Sequence, residues 1–359
     1  MSAIVFDQLP FELLDMIANL LEDDYDALKT LSSATRNLRA VCVPHLFRTL
    51  RITFSASGFT RLEEVSNSVF AQYVTAVRYK VPELIDANIP SWDYFRLCVY
   101  TPEEFVRDQR EQWWNFRGNS LSYASIYKYF SKLSAEQHEI LAGSRDARTI
   151  RRCLPRFWRL KDIQLMFEDT IDQPFRWLAT HLFIDRNDSM LLHFETFVEA
   201  LIGLREHGMS IRTFRVHGFD SNISMLEKGF LDKVAHALQT VTNIVLIDSV
   251  GLLRCLASIP LPSMLRLELG SCWLQITALE TFCSAHKGRV RHIHFEEVWV
   301  LADNLDDWGS SMSMRNTATL IEKIVVLRRS GVLRQITVNR KDDGQYEYQD
   351  WFEINGTAS

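Results

Sequence analysis

The sequence predicts an α/β fold in two parts: a small N-terminal module of three helices, then an irregular solenoid of short parallel strands with outer helices and a helical, aromatic-rich insert. Three observations carry this. An L-x-x-L-x-L-like phrase recurs eight times, and its last two apolar residues, two apart, share one side of a strand. Apolar residues at steps of three and four fill most of the intervals between phrases. The first stretch, to about Phe47, lacks the phrase and is helically periodic instead.

The first helix opens at Pro10, whose fixed φ suits a first turn, with Glu12 and Asp15 where the helix dipole favours acids. Leu13, Leu14, Ile17, Leu20 and Leu21 make a wide stripe along it. The acidic turn from Glu22 to Asp26 breaks this helix and caps a second, which bears Leu28 and Leu31. A third, Thr35 to Val43, bears Leu38 and Val41 and is expected to stop at Pro44, which lacks an N–H. So many aliphatic residues exceed what a forty-residue core can hide, so part of the stripe must face another surface.

The strand phrases are Phe47/Leu50/Ile52, Val74/Val77/Tyr79, Leu160/Ile163/Leu165, Ile211/Phe214/Val216, Val241/Ile244/Leu246, Met264/Leu267/Leu269, Val290/Ile293/Phe295 and Leu333/Ile336/Val338. Helices are expected over 194–206, 230–238, 276–285 and 317–329. A doubly wound sheet alternates in the same way, but its buried strands are continuous apolar runs. Here Arg215, Glu268 and His294 stand between the two apolar residues, which predicts one wet face. Residues 82–158 interrupt the rhythm with Trp92, Trp113, Trp114, Phe130 and Trp158 among other aromatics, and are read as an insert with helices over 120–141 and 146–154. The expected division is a module over 1–46, a body over 47–345 and a tail over 346–359, with a polar turn at Lys341 to Gly344.

A hydrophobic share of 47% over 359 residues lets both parts bury a core without metal or disulfide staples. The formal charge of -5 supplies no net field to hold nucleic acid or an anionic membrane, and neither is expected as a partner. Six cysteines without a C-x-x-C pair predict buried thiols in a reducing compartment, cytoplasmic or nuclear. Asp7 and Glu12 fall where a secretory apolar stretch would continue, and no run approaches the ~18 apolar residues of a membrane span.

The run Phe6 to Ile17, with Leu9-Pro10-x-Glu12-Leu13-Leu14-x-x-Ile17 at its centre, then Leu20-Leu21, Asp26-Ala27-Leu28, Leu31 and Pro44 to Leu50, resembles an F-box followed by the first strand of a repeat body. The layout beyond it is similar to fungal F-box proteins with divergent leucine-rich repeats. The resemblance implies binding to the Skp-type adaptor of Skp–cullin–F-box ubiquitin ligases, with Leu9, Pro10, Leu13, Ile17, Leu21, Leu28 and Leu31 at the family's apolar contact positions. Ser33-Ala34-Thr35-Arg36-Asn37-Leu38 departs from the family's usual phrase in the third helix. The chain would then be a non-catalytic substrate receptor joined to the cullin core. A scaffold without a degradative role and an α/β enzyme with a dispersed site are the alternatives.

The row of polar strand positions and the loops after them are the expected surface for a protein substrate: Arg215, His217, Arg266, Glu268, Trp273, His292, His294, Glu296, Trp299 and Gln335. No G-x-S-x-G, P-loop, G-x-G-x-x-G, H-E-x-x-H or kinase phrase occurs, so no catalytic residue and no cofactor is assigned. His292-x-His294 is the most metal-like pair, with Glu296 continuing the alternation, yet further ligands are not evident in the sequence and no metal is assigned. Arg151, Arg152, Arg156 and Arg159 read as the solvated side of a segment whose Leu154, Phe157 and Leu160 face inward.

Overall fold

All eight apolar pairs lie in strands of one sheet in the computed structural model. It describes residues 9–22, 24–111, 122–168, 186–219, 228–301 and 335–339, with isolated positions between 171 and 184, and the side chains of 186, 299–301 and 335–339 fall outside it. The strands are β1 (Thr49–Thr53), β2 (Ala76–Val81), β3 (Asp162–Phe167), β4 (Thr213–His217), β5 (Asn243–Ile247), β6 (Arg266–Gln275), β7 (His292–Leu301) and β8 (Gln335–Asn339). Every neighbouring pair is parallel, and the order β1 to β8 follows the chain without reversal. That order excludes the doubly wound alternative, whose sheet reverses at a switch point.

Register turns the phrase into a layered core. Leu50, Val77, Ile163, Phe214, Ile244, Leu267 and Ile293 stand side by side across the strands, and Ile52, Tyr79, Leu165, Val216, Leu246, Leu269 and Phe295 form the next row. Both rows are buried in one continuous core. The helices that cover them are α4 (Ala56–Ser66), α7 (Arg145–Cys153), α8 (Arg186–Glu206), α9 (Lys228–Ala237), α10 (Gly251–Ala257) and α11 (Ile276–Ala285). Sequential parallel strands need crossovers of one hand, so these helices lie on one side and the sheet's other side stays open.

The N-terminal module comprises α1 (Phe11–Leu20), α2 (Tyr25–Ala34) and α3 (Arg36–Leu46). Asp24 and Thr35 cap the second and third helices by accepting from the N–H groups of Ala27 and Leu38. α3 does not stop before Pro44 but runs three residues further than expected. A proline so near a C-terminus removes only its own bond, and the last turn is closed by Phe47 N–H donating to the Val43 carbonyl. Leu14, Ala18, Leu28, Leu38, Val41 and Cys42 form a core separate from that of the body.

The insert contains α5 (Pro102–Glu111) and α6 (Tyr123–Ala142), which leads into α7, and has a third core built around Ile85, Phe95, Tyr100, Ile126 and Phe130. Inside the insert, buried Gln137 Oε1 accepts from Ile85 N, and the insert is fastened to the body where Ser189 Oγ on α8 accepts from Leu84 N. Arg151, Arg152 and Arg156 contact Glu206, Glu63 and Asn67, while Leu154, Phe157 and Leu160 are buried, as their spacing requires. α8 begins eight residues before the expected helix, at Arg186. The expected helix over 317–329, the turn at 341–344, the tail over 346–359 and the pair Trp113-Trp114 lie outside the described residues.

A repeated left-handed residue ends each open-face segment from β4 to β7. Gly218, Asp248, Ser271 and Glu297 all have positive φ, and they follow four register partners, His217, Ile247, Gly270 and Glu296. In β6 the extra residue resets the alternation. Strict period two from Glu268 would send Cys272 outward and Trp273 inward, whereas Cys272 is buried and Trp273 exposed. Left-handed backbone costs a side-chain-bearing residue about 1–2 kcal/mol, part of which glycine's larger unfolded-state entropy returns. Ser271→Gly is therefore expected to stabilise the fold by roughly 0.5 kcal/mol, read as a higher urea midpoint at unchanged slope.

Candidate interaction surfaces

Two surfaces stand out. The first is the outer side of α1, where Leu13, Met16 and Leu20 recur at helical steps and are 45%, 62% and 82% exposed; Phe11 and Tyr25, the first residues of α1 and α2, are exposed as well. The three-helix core is complete without them, because Leu14, Ala18, Leu28, Leu38, Val41 and Cys42 close it from below. His45 Nε2 meets Asp15 Oδ1 at 2.9 Å, and Arg48 Nη1 donates to Glu22 Oε2 at 2.7 Å, so polar contacts from α3 and from the residues just after it brace α1 and its C-terminal turn.

The residues expected to contact an adaptor divide by depth. Leu13 and Pro10 are exposed, and Leu9, Ile17, Leu21 and Leu31 are half-buried. Leu28, by contrast, is sealed at 1% exposure in the module's own core. Sequence reasoning missed Phe11, Met16 and Tyr25. Their signal was present, since Met16 stands three residues from Leu13 and four from Leu20, but the stripe was drawn on Leu and Ile alone and ran the outward Leu13 and Leu20 together with the inward Leu14.

The second surface is the open side of the sheet. Its central row runs Arg51, Arg78, Gln164, Arg215, Val245, Glu268 and His294 from β1 to β7. Gln164 and Val245 are buried even here. Toward β1 the face is mainly basic, and a depression of about 400 Å³ is lined by Arg48, Thr49, Thr75, Arg78, Asp162, Gln164 and Arg215 among others. Lys80 Nζ contacts Glu168 Oε2 at 2.6 Å beside it.

Toward β7 the face becomes acidic and imidazole-rich. Arg215, His217, Glu268 and His294 are half-buried on the open side, while Arg266, His292, Glu296 and Trp273 are exposed. The side chains of Trp299 and Gln335 lie outside the described residues, although their backbones pair with Trp273 and His292. The metal-like pair in the sequence, His292 and His294, is not the grouping that register assembles. The donor atoms of His294 lie instead within 4.8 Å of those of Glu268 and Glu296, and those of Glu268 and Glu296 within the same distance of each other. Glu268 also meets Arg266 Nη2 at 3.4 Å.

The cysteines do not form a reactive centre. Cys42, Cys153, Cys255, Cys272 and Cys283 are buried, and burial pushes the thiols of Cys255, Cys272 and Cys283 up to about 12, so they remain protonated. Cys98 departs from the expectation of burial and is exposed. Among the described residues no helix is long and apolar enough to cross a membrane. No protein-family model matches the chain, and no curated protein matches it.

Proposed function

We propose that the chain is a substrate-recognition adaptor of a Skp–cullin–F-box ubiquitin ligase. In this reading the N-terminal helices form an F-box, the sheet and its outer helices form an irregular leucine-rich-repeat solenoid, and the open face receives a protein substrate. One observation carries the proposal: an apolar stripe on α1 is exposed although the helices beneath it already have a closed core. Such a stripe costs solubility and is retained where a partner covers it. The departure of Ser33 to Leu38 from the family phrase is compatible, because α3 contributes mainly Leu38, Val41 and Cys42 to the module's interior.

The open face suits the second half of the role. Its polar row is held on a rigid hydrogen-bonded sheet, and charge changes along it from basic to acidic, so an extended ligand would be bound in one orientation. The chain would supply proximity and orientation for ubiquitin transfer, with the chemistry performed by other subunits.

Co-purification with a Skp-type adaptor tests the reading. Wild type is expected to retain the adaptor, and Leu13→Asp combined with Met16→Asp is expected to lower retention at least about tenfold, since each places a charge in an apolar contact. Both positions are exposed in the free chain, so the thermal midpoint should be unchanged. Equal retention by the double variant, or none by wild type, rejects the proposal.

A further inference from the structure

We propose that Glu268, His294 and Glu296 bind a first-row divalent cation, of the zinc or cobalt class, on the open face between β6 and β7. Their donor atoms lie within 4.8 Å of one another. An ion at the centre of a triangle of that size is at most about 2.8 Å from each donor, and small rotamer adjustments bring this to the ~2.0–2.2 Å of zinc–nitrogen and zinc–oxygen bonds.

The scaffold holds the donors in place. Glu268 and His294 are direct register partners on hydrogen-bonded parallel strands, and Glu296 lies two residues along β7 on the same side. Glu268 and His294 are half-buried, which limits the freedom lost on binding. Gly270, the register partner of Glu296, carries no side chain over the site. A Cβ there would meet Ile247 at 3.4 Å and the Glu296 carbonyl at 3.8 Å.

Chemistry selects the ion. Two carboxylates this close repel one another, and the Arg266 guanidinium, at 3.4 Å, meets Glu268. A divalent cation neutralises both. One imidazole nitrogen with two carboxylate oxygens suits a borderline ion such as zinc or cobalt better than calcium or magnesium, which favour all-oxygen shells. Three protein donors leave at least one coordination position facing the surface. The inference rests on side chains of the open face and stands whether or not that face captures a ubiquitination substrate.

The test is titration of the full-length, chelator-stripped protein with Co²⁺, followed by its visible absorption, and with Zn²⁺ by calorimetry. One equivalent is expected to saturate each signal. His294→Ala, Glu268→Gln and Glu296→Gln are each expected to weaken affinity at least about tenfold, and His292→Ala to change it by less than about twofold. Circular dichroism and urea midpoints establish that each variant is folded, and the two glutamate exchanges preserve side-chain volume. The site is rejected if no saturable binding occurs, if Glu268→Gln leaves binding untouched, or if His292→Ala weakens it as much as His294→Ala does.

Discussion

Gly58→Ala is expected to destabilise the body by about 3 kcal/mol or more, the upper range for overpacking a closed site. Gly58 sits in the first turn of α4, directly after the tight exit from β1, where Ser55 N–H donates to the Thr53 carbonyl and Ser55 Oγ accepts from Gly58 N at 3.0 Å. A Cβ at this position would stand 2.1 Å from the Thr53 carbonyl oxygen and 2.7 Å from its Oγ1. The carbonyl is backbone at the end of a strand, so it cannot rotate away as a side chain would. Either α4 lifts from the sheet, pulling the fully buried Phe59 and Leu62 out of register with Leu50 and Ile52, or the end of β1 unpairs. Gly229→Ala, in the first turn of α9, meets nothing within 4 Å and is expected to stabilise by up to about 1 kcal/mol through helix propensity. Urea unfolding of the two variants should move the midpoint in opposite directions, and an unmoved midpoint for Gly58→Ala would show that the β1–α4 turn is not closed as described.

That contrast also separates what the sequence makes legible from what it hides. Strand positions and facing were readable because the apolar pair at two-residue spacing is a local signal, and all eight pairs fell into a single register. The one wet face followed from Arg215, Glu268 and His294 standing between those pairs. Gly58 could not be recognised, since its requirement comes from the backbone path between β1 and α4. The left-handed ladder was equally hidden: only Gly218 has a residue type that signals positive φ, whereas Asp248, Ser271 and Glu297 adopt it because neighbouring strands impose it. At the open face the sequence listed all three donors but paired His294 with His292, its neighbour in the chain, while β6–β7 register supplied Glu268 from the adjacent strand. On α1 the stripe was visible and its inner and outer halves were not, because that division depends on where α3 packs.

Acid is expected to destabilise this protein well above the usual carboxylate range, through His193 on α8. The ring is fully buried, edge-on to Phe54 at 4.7 Å and near Phe167, and its Nε2–H donates to the Pro82 carbonyl at 3.1 Å. Nδ1 has no partner, so the neutral tautomer is the form that fits. Burial pushes its pKa from 6.5 down to about 3, overcoming the opposing pull of the Pro82 carbonyl. The unfolded chain therefore takes up a proton near 6.5 that the folded chain refuses until about 3, and stability present above pH 6.5 is lost progressively across that window. At about 1.4 kcal/mol per pH unit, the loss approaches 2 kcal/mol at pH 5 and exceeds 3 at pH 4. His286, buried with its Nε2–H on the Leu256 carbonyl, is lowered by burial too and acts in the same direction. His193→Gln keeps an N–H for Pro82 but cannot titrate, so subtracting its unfolding free energy from that of wild type at each pH isolates the histidine from all carboxylates. The difference should fall by about 3 kcal/mol as pH drops from 7 to 4, and a difference independent of pH would mean that the imidazole is not held neutral. Because His193 joins Pro82, where the insert departs, to the strand ends bearing Phe54 and Phe167, its protonation would loosen the junction of insert and body first.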